Sequence, residues 1–376
     1  MPTTYGLLST HPPTQCGLAT FNAALAARLG EFGRPGVVRV TAGLDEDGAG
    51  PDVVHTWPAR SVGGWQAAAA ALDRFDIAVI QHEYGIYPGP DGADVLPLLQ
   101  RLTVPTIVVL HTVLAQPTAA QRTLLEQIVT AADAVVTMTG TARHRLVHGY
   151  RIDARKVTVI PHGATEHTPA ATGSHPRPHL LTWGLLGPGK GIEWMLRALA
   201  RLRSLDPPPF YTVAGRTHPR VLEQNGEAYR AGLLRLGAML DVTAAVHYDP
   251  VYRDDAELGR LIGSADVVVL PYESREQVTS GVLTEAVAAG IPVVATPFPH
   301  AVELLTDGPG LLVPYENAAA LAAAIRRILT EPGLAASLVG RTRNQVPTLR
   351  WPAVAARYDM LAGQLLAARS PVAVPA

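Results

Sequence analysis

The sequence predicts an α/β protein of two doubly wound domains, each a parallel sheet covered by helices on both faces. Its 376 residues exceed the size that one hydrophobic core usually organises. Short apolar runs alternate with longer segments of helical period, a pattern typical of parallel sheets packed between helices. The pattern stops at the polar segment Ala164–Pro178, which is rich in proline, glycine and threonine, and then restarts. We therefore place a linker there and expect two cores.

The first domain is predicted over residues 1–165. Its first strand is Tyr5–Ser9, followed by a turn over Thr10–Gly17 and a helix near Leu18–Leu29. The other candidate strands of this half are Val37–Thr41, Ile77–Gln81, Thr106–His111, Ala134–Met138 and Val157–Ile160. Because ligands of open parallel sheets bind beyond the carboxyl ends of the strands, the polar turns after these runs are the segments in which to seek a site.

The second domain is predicted over residues 176–350. Its candidate strands, each followed by a stretch compatible with a helix, are His179–Trp183, Phe210–Ala214, Val267–Leu270 and Val293–Ala295. Residues 351–376 contain a predicted helix near Val354–Leu366, which is a candidate to cross back onto the first domain.

The composition limits the classes of function. Apolar residues make up 48% of the chain and charged residues 17%, which is enough to form both cores. The formal net charge of -1 provides no basic field for nucleic acid or anionic lipid. Cys16 is the only cysteine and has no intramolecular partner, and no Cys and His residues show metal-ligand spacing. No signal leader or run of about 20 apolar residues is evident, so we expect a cytoplasmic protein without a transmembrane segment, metal or cofactor.

The most informative segment is Val267–Thr296, in which a buried strand is followed by a polar loop and a helix. Thr279, Ser280 and Gly281 open that helix, which is predicted to run to Ala289. A helix start presents unpaired N–H groups and partial positive charge, which favours a phosphate. Glu285 lies about one turn later, where its carboxylate can accept hydrogen bonds from a ribose. The alternative is an ordinary capped helix with a solvated glutamate.

A second segment, Leu181–Gly191, reads LTWGLLGPGKG and connects a strand to a helix. Its glycines provide a pliable backbone, and Lys190 supplies a compact charge for phosphate oxygens. Lys190 and Lys156 are the only lysines of the chain, which makes the position of each informative. A surface lysine is the alternative interpretation.

These two segments resemble the donor-binding motifs of the retaining family 4, or group 1, glycosyltransferases. In that family an acidic residue, seven other residues and a glutamate precede a strand of the form GxPVVAT; here Glu285 matches the glutamate and Gly290–Thr296 reads GIPVVAT. Gln277 stands where the first acid is expected, with Glu276 one residue out of register.

The glycine-rich segment departs from the family pattern at one position. It is similar to the family's GRLxxxKG loop, in which an arginine and a lysine both hold the donor diphosphate. Gly184 and Lys190 match this pattern, but Leu185 replaces the arginine, and Arg216 in the next loop is a candidate substitute.

The resemblance covers nearly the entire chain and implies the GT-B fold, with two Rossmann-like domains facing across a cleft. It implies transfer of a hexose from a nucleotide diphosphate sugar to an acceptor hydroxyl, with retention and without a metal. The acceptor is expected to be a small molecule or a glycan. The candidate donor-binding residues are Gly17, Gly184, Lys190, Arg216, Gln277, Thr279, Ser280, Gly281, Val282, Leu283 and Glu285.

The resemblance also implies that His111 contacts the transferred sugar, which makes His111, Gln277 and Lys190 the candidate catalytic residues. Strand-end histidines are often structural, but His82 and His111 follow adjacent strands and converge on one edge of the sheet. The candidate acceptor-side residues are His82, Glu83, Tyr84, Arg143 and His162.

Two other classes of function remain open at this level. One is a GT-B-fold enzyme with different chemistry, such as a nucleotide-sugar epimerase or a pseudo-sugar coupling enzyme. The other is a noncatalytic nucleotide-sugar-binding protein, because Gln277 and Leu185 replace charged residues of the family. A nicotinamide dehydrogenase is disfavoured because no GxGxxG follows the first strand.

Overall fold

The computed structural model describes residues 2–41, 50–59, 61, 63–166, 176–341 and 343–369. The chain forms two compact units: Met1–Gly163 with Trp351–Ala376, and Ala164–Arg350. The chain therefore enters the second unit where the predicted linker Ala164–Pro178 begins; residues 167–175 of that linker lie outside the described residues. The predicted α/β class with two doubly wound units is confirmed.

The first unit contains a seven-stranded sheet in the order β3-β2-β1-β4-β5-β6-β7. Every neighbouring pair in it is parallel. The strands are β1 (Thr3–Ser9), β2 (Gly33–Thr41), β3 (Val53–Pro58), β4 (Ile77–His82), β5 (Thr106–Leu110), β6 (Ala134–Thr137) and β7 (Val157–Val159). The helices of this unit are α1 (Gly17–Leu29), α2 (Gly64–Leu72), α3 (Val95–Arg101), α4 (Ala119–Ala131), α5 (Gly140–Gly149) and, at the end of the chain, α15 (Trp351–Arg369).

The last helix belongs to the core of the first unit. Trp351 and Tyr358 of α15 are buried in one cluster with Tyr5 of β1 and Phe21 of α1. The hydroxyl of Tyr5 donates a hydrogen bond to Asp359. The helix starts three residues before the predicted Val354 and is described to Arg369, and residues 370–376 lie outside the described residues.

The second unit contains a six-stranded parallel sheet in the order β10-β9-β8-β11-β12-β13. Its strands are β8 (His179–Trp183), β9 (Phe210–Ala214), β10 (Val246–Asp249), β11 (Val267–Leu270), β12 (Val293–Ala295) and β13 (Gly310–Leu312). Its helices are α6 (Ile192–Leu202), α7 (Pro219–Asn225), α8 (Ala228–Met239), α9 (Asp255–Gly263), α10 (Gly281–Ala288), α11 (Pro299–Leu305), α12 (Ala318–Thr330), α13 (Leu334–Gly340) and α14 (Val346–Leu349).

The strands that the sequence did not predict as such lie at the edges of the sheets. β3 and β10 occupy one outer position each, and many of their side chains are only partly buried. An edge strand needs no continuous apolar run, because one side of it faces solvent. The central strands are buried on both faces, and four of them in the second unit have the predicted bounds.

Each sheet brings the ends of several strands to one edge, as parallel pairing requires. In the first unit, β4 ends at His82 and His111 follows β5. In the second unit, Gly184 follows β8, and Pro271 and Tyr272 follow β11. Within the described ranges, no helix has the length and apolar character needed to cross a membrane.

Candidate active site

The loop between β8 and α6 requires glycine at two of its positions. Gly184 has a φ of 115°, in the region that side chains disfavour, and its N–H donates to the Ala214 carbonyl at 3.0 Å. A Cβ on Gly191 would lie 1.8 Å from the carbonyl oxygen of Pro271. The loop is thereby packed closely against the segment that follows β11. This contact places Lys190 over that segment.

Lys190 is half-buried, and its ammonium lies 4.3 Å from the centre of the Tyr272 ring. Burial lowers the pKa of Lys190 to about 8. Among the described residues, no carboxylate forms an ion pair with this ammonium. A ring face attracts a cation but does not neutralise it, so the position favours an incoming anion.

A cavity of about 360 Å³ opens beside this ammonium. The residues that line it are Pro188, Gly189, Lys190, Tyr272, Glu273, Ser274 and Gln277. Glu273 is held in place, because its N–H donates to the Gly189 carbonyl at 2.9 Å and its carboxylate accepts the Trp194 indole N–H at 2.7 Å. The cavity therefore joins the two loops that the sequence analysis singled out.

The start of α10 leaves two backbone N–H groups for a ligand. The Ser280 side chain accepts from the Leu283 N–H at 3.2 Å, and the Ser280 N–H donates to Nδ1 of His300 at 2.8 Å. The N–H groups of Gly281 and Val282 have no acceptor within the described part of the chain. Of the predicted N–H donors, Ser280 and Leu283 are therefore occupied by the protein, and Gly281 and Val282 are available.

The first turn of α10 lies beside the glycine-rich loop. A Cβ built on Gly184 would be 3.6 Å from a methyl carbon of Val282. The Thr279 hydroxyl is also in this region, and it is buried without a hydrogen-bond partner among the described residues. The donor-binding residues predicted on these two segments are thus neighbours in the second unit.

Gln277 both lines the cavity and closes the loop that precedes α10. Its side-chain amide N–H donates to the Thr279 carbonyl at 3.1 Å. The orientation of this amide is set by its partner, because a carbonyl can only accept. Its Oε1 has no donor among the described residues and remains available to a hydroxyl. An ionised acidic residue, as the family pattern has at this position, could not donate to the Thr279 carbonyl.

Glu285 has a protein partner that the sequence did not indicate. Both oxygens of its carboxylate lie near the Thr165 N–H, at 3.1 and 3.2 Å. The carboxylate thereby fixes the backbone just after the start of the second unit. A carboxylate offers about four lone pairs, so the bond to Thr165 does not by itself use all of them.

Arg216 is exposed, and it is not one of the residues that line the cavity. Its backbone carbonyl accepts the Leu186 N–H at 2.8 Å, which joins the loops after β8 and β9. The structure therefore brings the Arg216 backbone to the glycine-rich loop, while the cation that lines the cavity is Lys190.

In the first unit His82 is buried, and His111 and His162 are half-buried. Burial lowers the pKa of His82 to about 4 and that of His111 to about 3, and the nearby His162 and His82 lower the pKa of His111 further. Nε2 of His111 lies 2.8 Å from Oε1 of Gln81. The Phe21 ring contacts His111 and His162 edge to face, at 4.9 and 5.0 Å between centroids.

The other acceptor-side candidates are partly occupied by neighbouring groups. Glu83 accepts the Tyr84 N–H at 2.8 Å and the Thr112 hydroxyl at 2.5 Å. Arg143 is exposed and donates through Nε to the Val157 carbonyl at 3.4 Å. Nδ1 of His162 lies 2.6 Å from the Gly163 carbonyl.

Gly17, the donor-binding candidate of the first unit, is the first residue of α1. No atom lies within 4 Å of a Cβ built on it. The backbone at this helix start is therefore open to close approach.

Four residues that contact the candidate site residues or line the cavity were not singled out by the sequence analysis: Gln81, Glu273, Tyr272 and His300. Tyr272 is the second residue after the buried strand β11, which is a signal that could have been used. His300 belongs to no motif identified in the sequence, and its contact with Ser280 exists only in the folded unit.

Comparison with known proteins assigns the family. A family profile described as "Glycosyl transferases group 1" matches residues 177–331, and one described as "Glycosyltransferase Family 4" matches residues 25–167. The chain belongs to the group 1, family 4 glycosyltransferases. The two matched segments fall in the second and the first unit respectively, apart from a few residues at the boundary.

Curated members of this family resemble the chain over part of their length. A D-inositol 3-phosphate glycosyltransferase of Salinispora arenicola is 30% identical over 266 residues, which are 65% of this chain and 58% of that protein. A phosphatidyl-myo-inositol mannosyltransferase of Mycolicibacterium smegmatis is 32% identical over 182 residues, 47% of this chain and 43% of that protein. The chain thus spans about half the length of the curated relatives that it matches.

Solved glycosyltransferase structures share the fold at low sequence identity. Sucrose-phosphate synthase from Thermosynechococcus elongatus has a TM-score of 0.76 and 22% identity, covering 97% of this chain and 100% of that one. Anabaena HepE, solved in complex with UDP and glucose, has a TM-score of 0.74 and 15% identity, covering 96% of this chain and 99% of that one. These similarities establish the GT-B fold of this family member.

Proposed function

We propose that this protein is a retaining glycosyltransferase that binds the diphosphate of a nucleotide sugar in the second unit and transfers a hexose to an acceptor hydroxyl. The observation that carries the proposal is the Lys190 ammonium, half-buried beside a cavity of about 360 Å³ and without a carboxylate partner among the described residues. Partial burial of a charge without an ionic partner is unfavourable, and a diphosphate would supply the missing anion.

The groups around the cavity fit such a ligand. The N–H groups of Gly281 and Val282 have no acceptor within the described ranges and lie at a helix start, where a phosphate is favoured. The ammonium and these amides stabilise the negative charge that develops on the leaving diphosphate. No step of this account requires a metal or a cofactor.

Two further residues are assigned to the sugar and the ribose. Gln277 presents Oε1 at the cavity, where it can accept a hydrogen bond from a sugar hydroxyl. Glu285, whose carboxylate accepts from the Thr165 N–H, is assigned to accept hydrogen bonds from the ribose hydroxyls. In this proposal an oxygen of the donor phosphate takes the proton of the acceptor, as the family resemblance implies for retention.

The acceptor is assigned to groups of the first unit. His82 and His111 are uncharged near neutral pH because burial lowers their pKa values, so they serve as neutral hydrogen-bonding groups for hydroxyls. Because named relatives act on D-inositol 3-phosphate and phosphatidyl-myo-inositol, inositol phosphates and phosphatidylinositol belong in the acceptor panel. We propose the cytoplasm as the compartment, in keeping with the single cysteine.

Thermal shift with UDP-, GDP-, ADP- and dTDP-sugars tests the donor assignment, because a ligand of the native state raises the melting temperature. We expect one nucleotide class to stabilise the protein at millimolar concentration. Product analysis by NMR with that donor then reports transfer and the anomeric configuration. Donor binding without transfer or hydrolysis across the acceptor panel would support a noncatalytic binding protein, and an isomerised donor would support an epimerase.

A further inference from the structure

His300 connects both ends of the loop that precedes α10. The residue is 6% exposed and lies in the first turn of α11. Its Nδ1 accepts the Ser280 N–H at 2.8 Å, and its own backbone N–H donates to the Gln277 carbonyl at 3.3 Å. One residue from a different helix thus binds the first and the last residue of the segment 277–280.

The bond to Ser280 defines the state of the imidazole. A backbone N–H can only donate, so Nδ1 of His300 must carry a lone pair. The ring in this contact is therefore neutral and carries its proton on Nε2. An imidazolium would have no lone pair for Ser280.

The segment is also closed from within, by the bond from the Gln277 side chain to the Thr279 carbonyl. Three hydrogen bonds consequently fix four residues. The next two residues, Gly281 and Val282, present the N–H groups without acceptors in the described part of the chain. The backbone conformation of Ser280 determines the direction of those two groups.

We propose that His300 is a positioning residue of the donor site, which holds the Ser280 amide so that the Gly281 and Val282 N–H groups are aligned before a diphosphate arrives. The inference rests on the donor site proposed above. His300 acts through the loop, because the nitrogen in question is already bonded to Ser280. Alignment before binding removes an ordering cost that the ligand would otherwise have to overcome.

Two polar substitutions of His300 separate this role from simple packing. In His300→Asn the side-chain oxygen occupies nearly the position of Nδ1 and can accept from Ser280. In His300→Gln the oxygen lies one methylene farther out and cannot replace Nδ1. His247→Leu, at an exposed histidine of β10, is the control.

Two measurements are made on each variant. Hydrogen exchange reports the protection of the Ser280 amide, and calorimetric titration reports the affinity for UDP, GDP, ADP or dTDP, whichever the wild type binds. We expect His300→Gln to speed exchange at Ser280 and to weaken nucleotide binding roughly tenfold. His300→Asn should stay within about threefold of the wild type in both measurements, and His247→Leu should match it.

The outcomes distinguish this inference from the proposed function. Unchanged protection of Ser280 in His300→Gln, or faster exchange with unchanged nucleotide affinity, overturns the positioning role alone. Equal losses in the Asn and Gln variants also overturn it, because they indicate a packing role. A wild type that binds none of the four nucleotides overturns the donor site and this inference together.

Discussion

The carboxyl edges of the two sheets carry opposite kinds of chemistry. In the first unit, the pKa values of the buried His82 and the half-buried His111 are lowered to about 4 and about 3, so both provide neutral hydrogen-bonding groups at this edge. In the second unit, the corresponding edge carries the Lys190 ammonium and two N–H groups without acceptors among the described residues. The same parallel architecture thus provides one edge suited to hydroxyls and one suited to an anion.

The two lysines of the chain show the same contrast on a smaller scale. Nζ of Lys156 donates to the carbonyls of Thr130 and Ala132 at 2.8 and 2.7 Å, at the end of α4. Its charge stabilises the carboxyl end of a helix. Lys190 contacts a ring and a cavity instead. The pair therefore offers a matched test of which lysine binds the donor.

Substituting Lys190 is expected to have the largest effect. In Lys190→Met the affinity for the nucleotide sugar should fall about 100-fold, since a charge-assisted hydrogen bond to phosphate is lost. Lys156→Met should leave that affinity within about twofold and lower the free energy of unfolding by about 1 kcal/mol. Calorimetric titration and chemical unfolding provide the two measurements. Equal losses of nucleotide-sugar affinity in Lys190→Met and Lys156→Met would contradict the assignment of the donor to Lys190.

Acidification is expected to destabilise the first unit through His82. The folded pKa of about 4 lies below the value of about 6.5 in an unfolded chain, so below pH 6.5 the unfolded state binds the proton and the folded state does not. Between pH 6.5 and pH 5 this lowers the stability by about 2 kcal/mol. Hydrogen exchange of β4 and β5 should show this loss in the wild type and less of it in His82→Leu. Identical pH dependence in the two proteins would show that His82 is not the cause.

Gln277→Glu tests the departure from the family motif. The carboxylate restores the family's charge but cannot donate to the Thr279 carbonyl, and it places two acceptors together. We expect kcat/KM for the donor to fall roughly tenfold. Steady-state kinetics with Gln277→Ala as the control provide the measurement. A rise in kcat/KM would instead show that the loop tolerates the acid and benefits from it.

The smallest expected effect is the change that Lys190 causes in the stability of the folded protein at alkaline pH. Its folded pKa of about 8 lies below the unfolded value of about 10.4, so above pH 8 the unfolded state holds more protons and stability rises with pH. From pH 8 to pH 9 the ligand-free protein should gain about 1 kcal/mol relative to Lys190→Met. Melting temperatures of both proteins across this range measure the difference. The gain should disappear with bound donor, which keeps the lysine charged.

Much of the fold followed from local patterns. The central strands of the second unit, such as Phe210–Ala214 and Val267–Leu270, were predicted with their observed bounds because burial on both faces requires continuous apolar runs. The edge strands β3 and β10 lack that requirement and were not predicted. The donor segments around Lys190 and Gly281 were found because glycines, a rare lysine and a helix start have recognisable sequence signals.

The sequence by itself determined the α/β class, the two-domain organisation and the segments that resemble a glycosyltransferase donor site. Only the tertiary structure decided which polar groups of those segments have partners within the protein. The Ser280 N–H donates to His300 and the Glu285 carboxylate accepts from Thr165, whereas Lys190 forms no ion pair with a carboxylate of the described residues. The physical reason is that hydrogen bonds and burial depend on contacts between residues far apart in the chain. The local pattern of the sequence shows which residues are apolar, but it does not show which polar atoms form hydrogen bonds with each other.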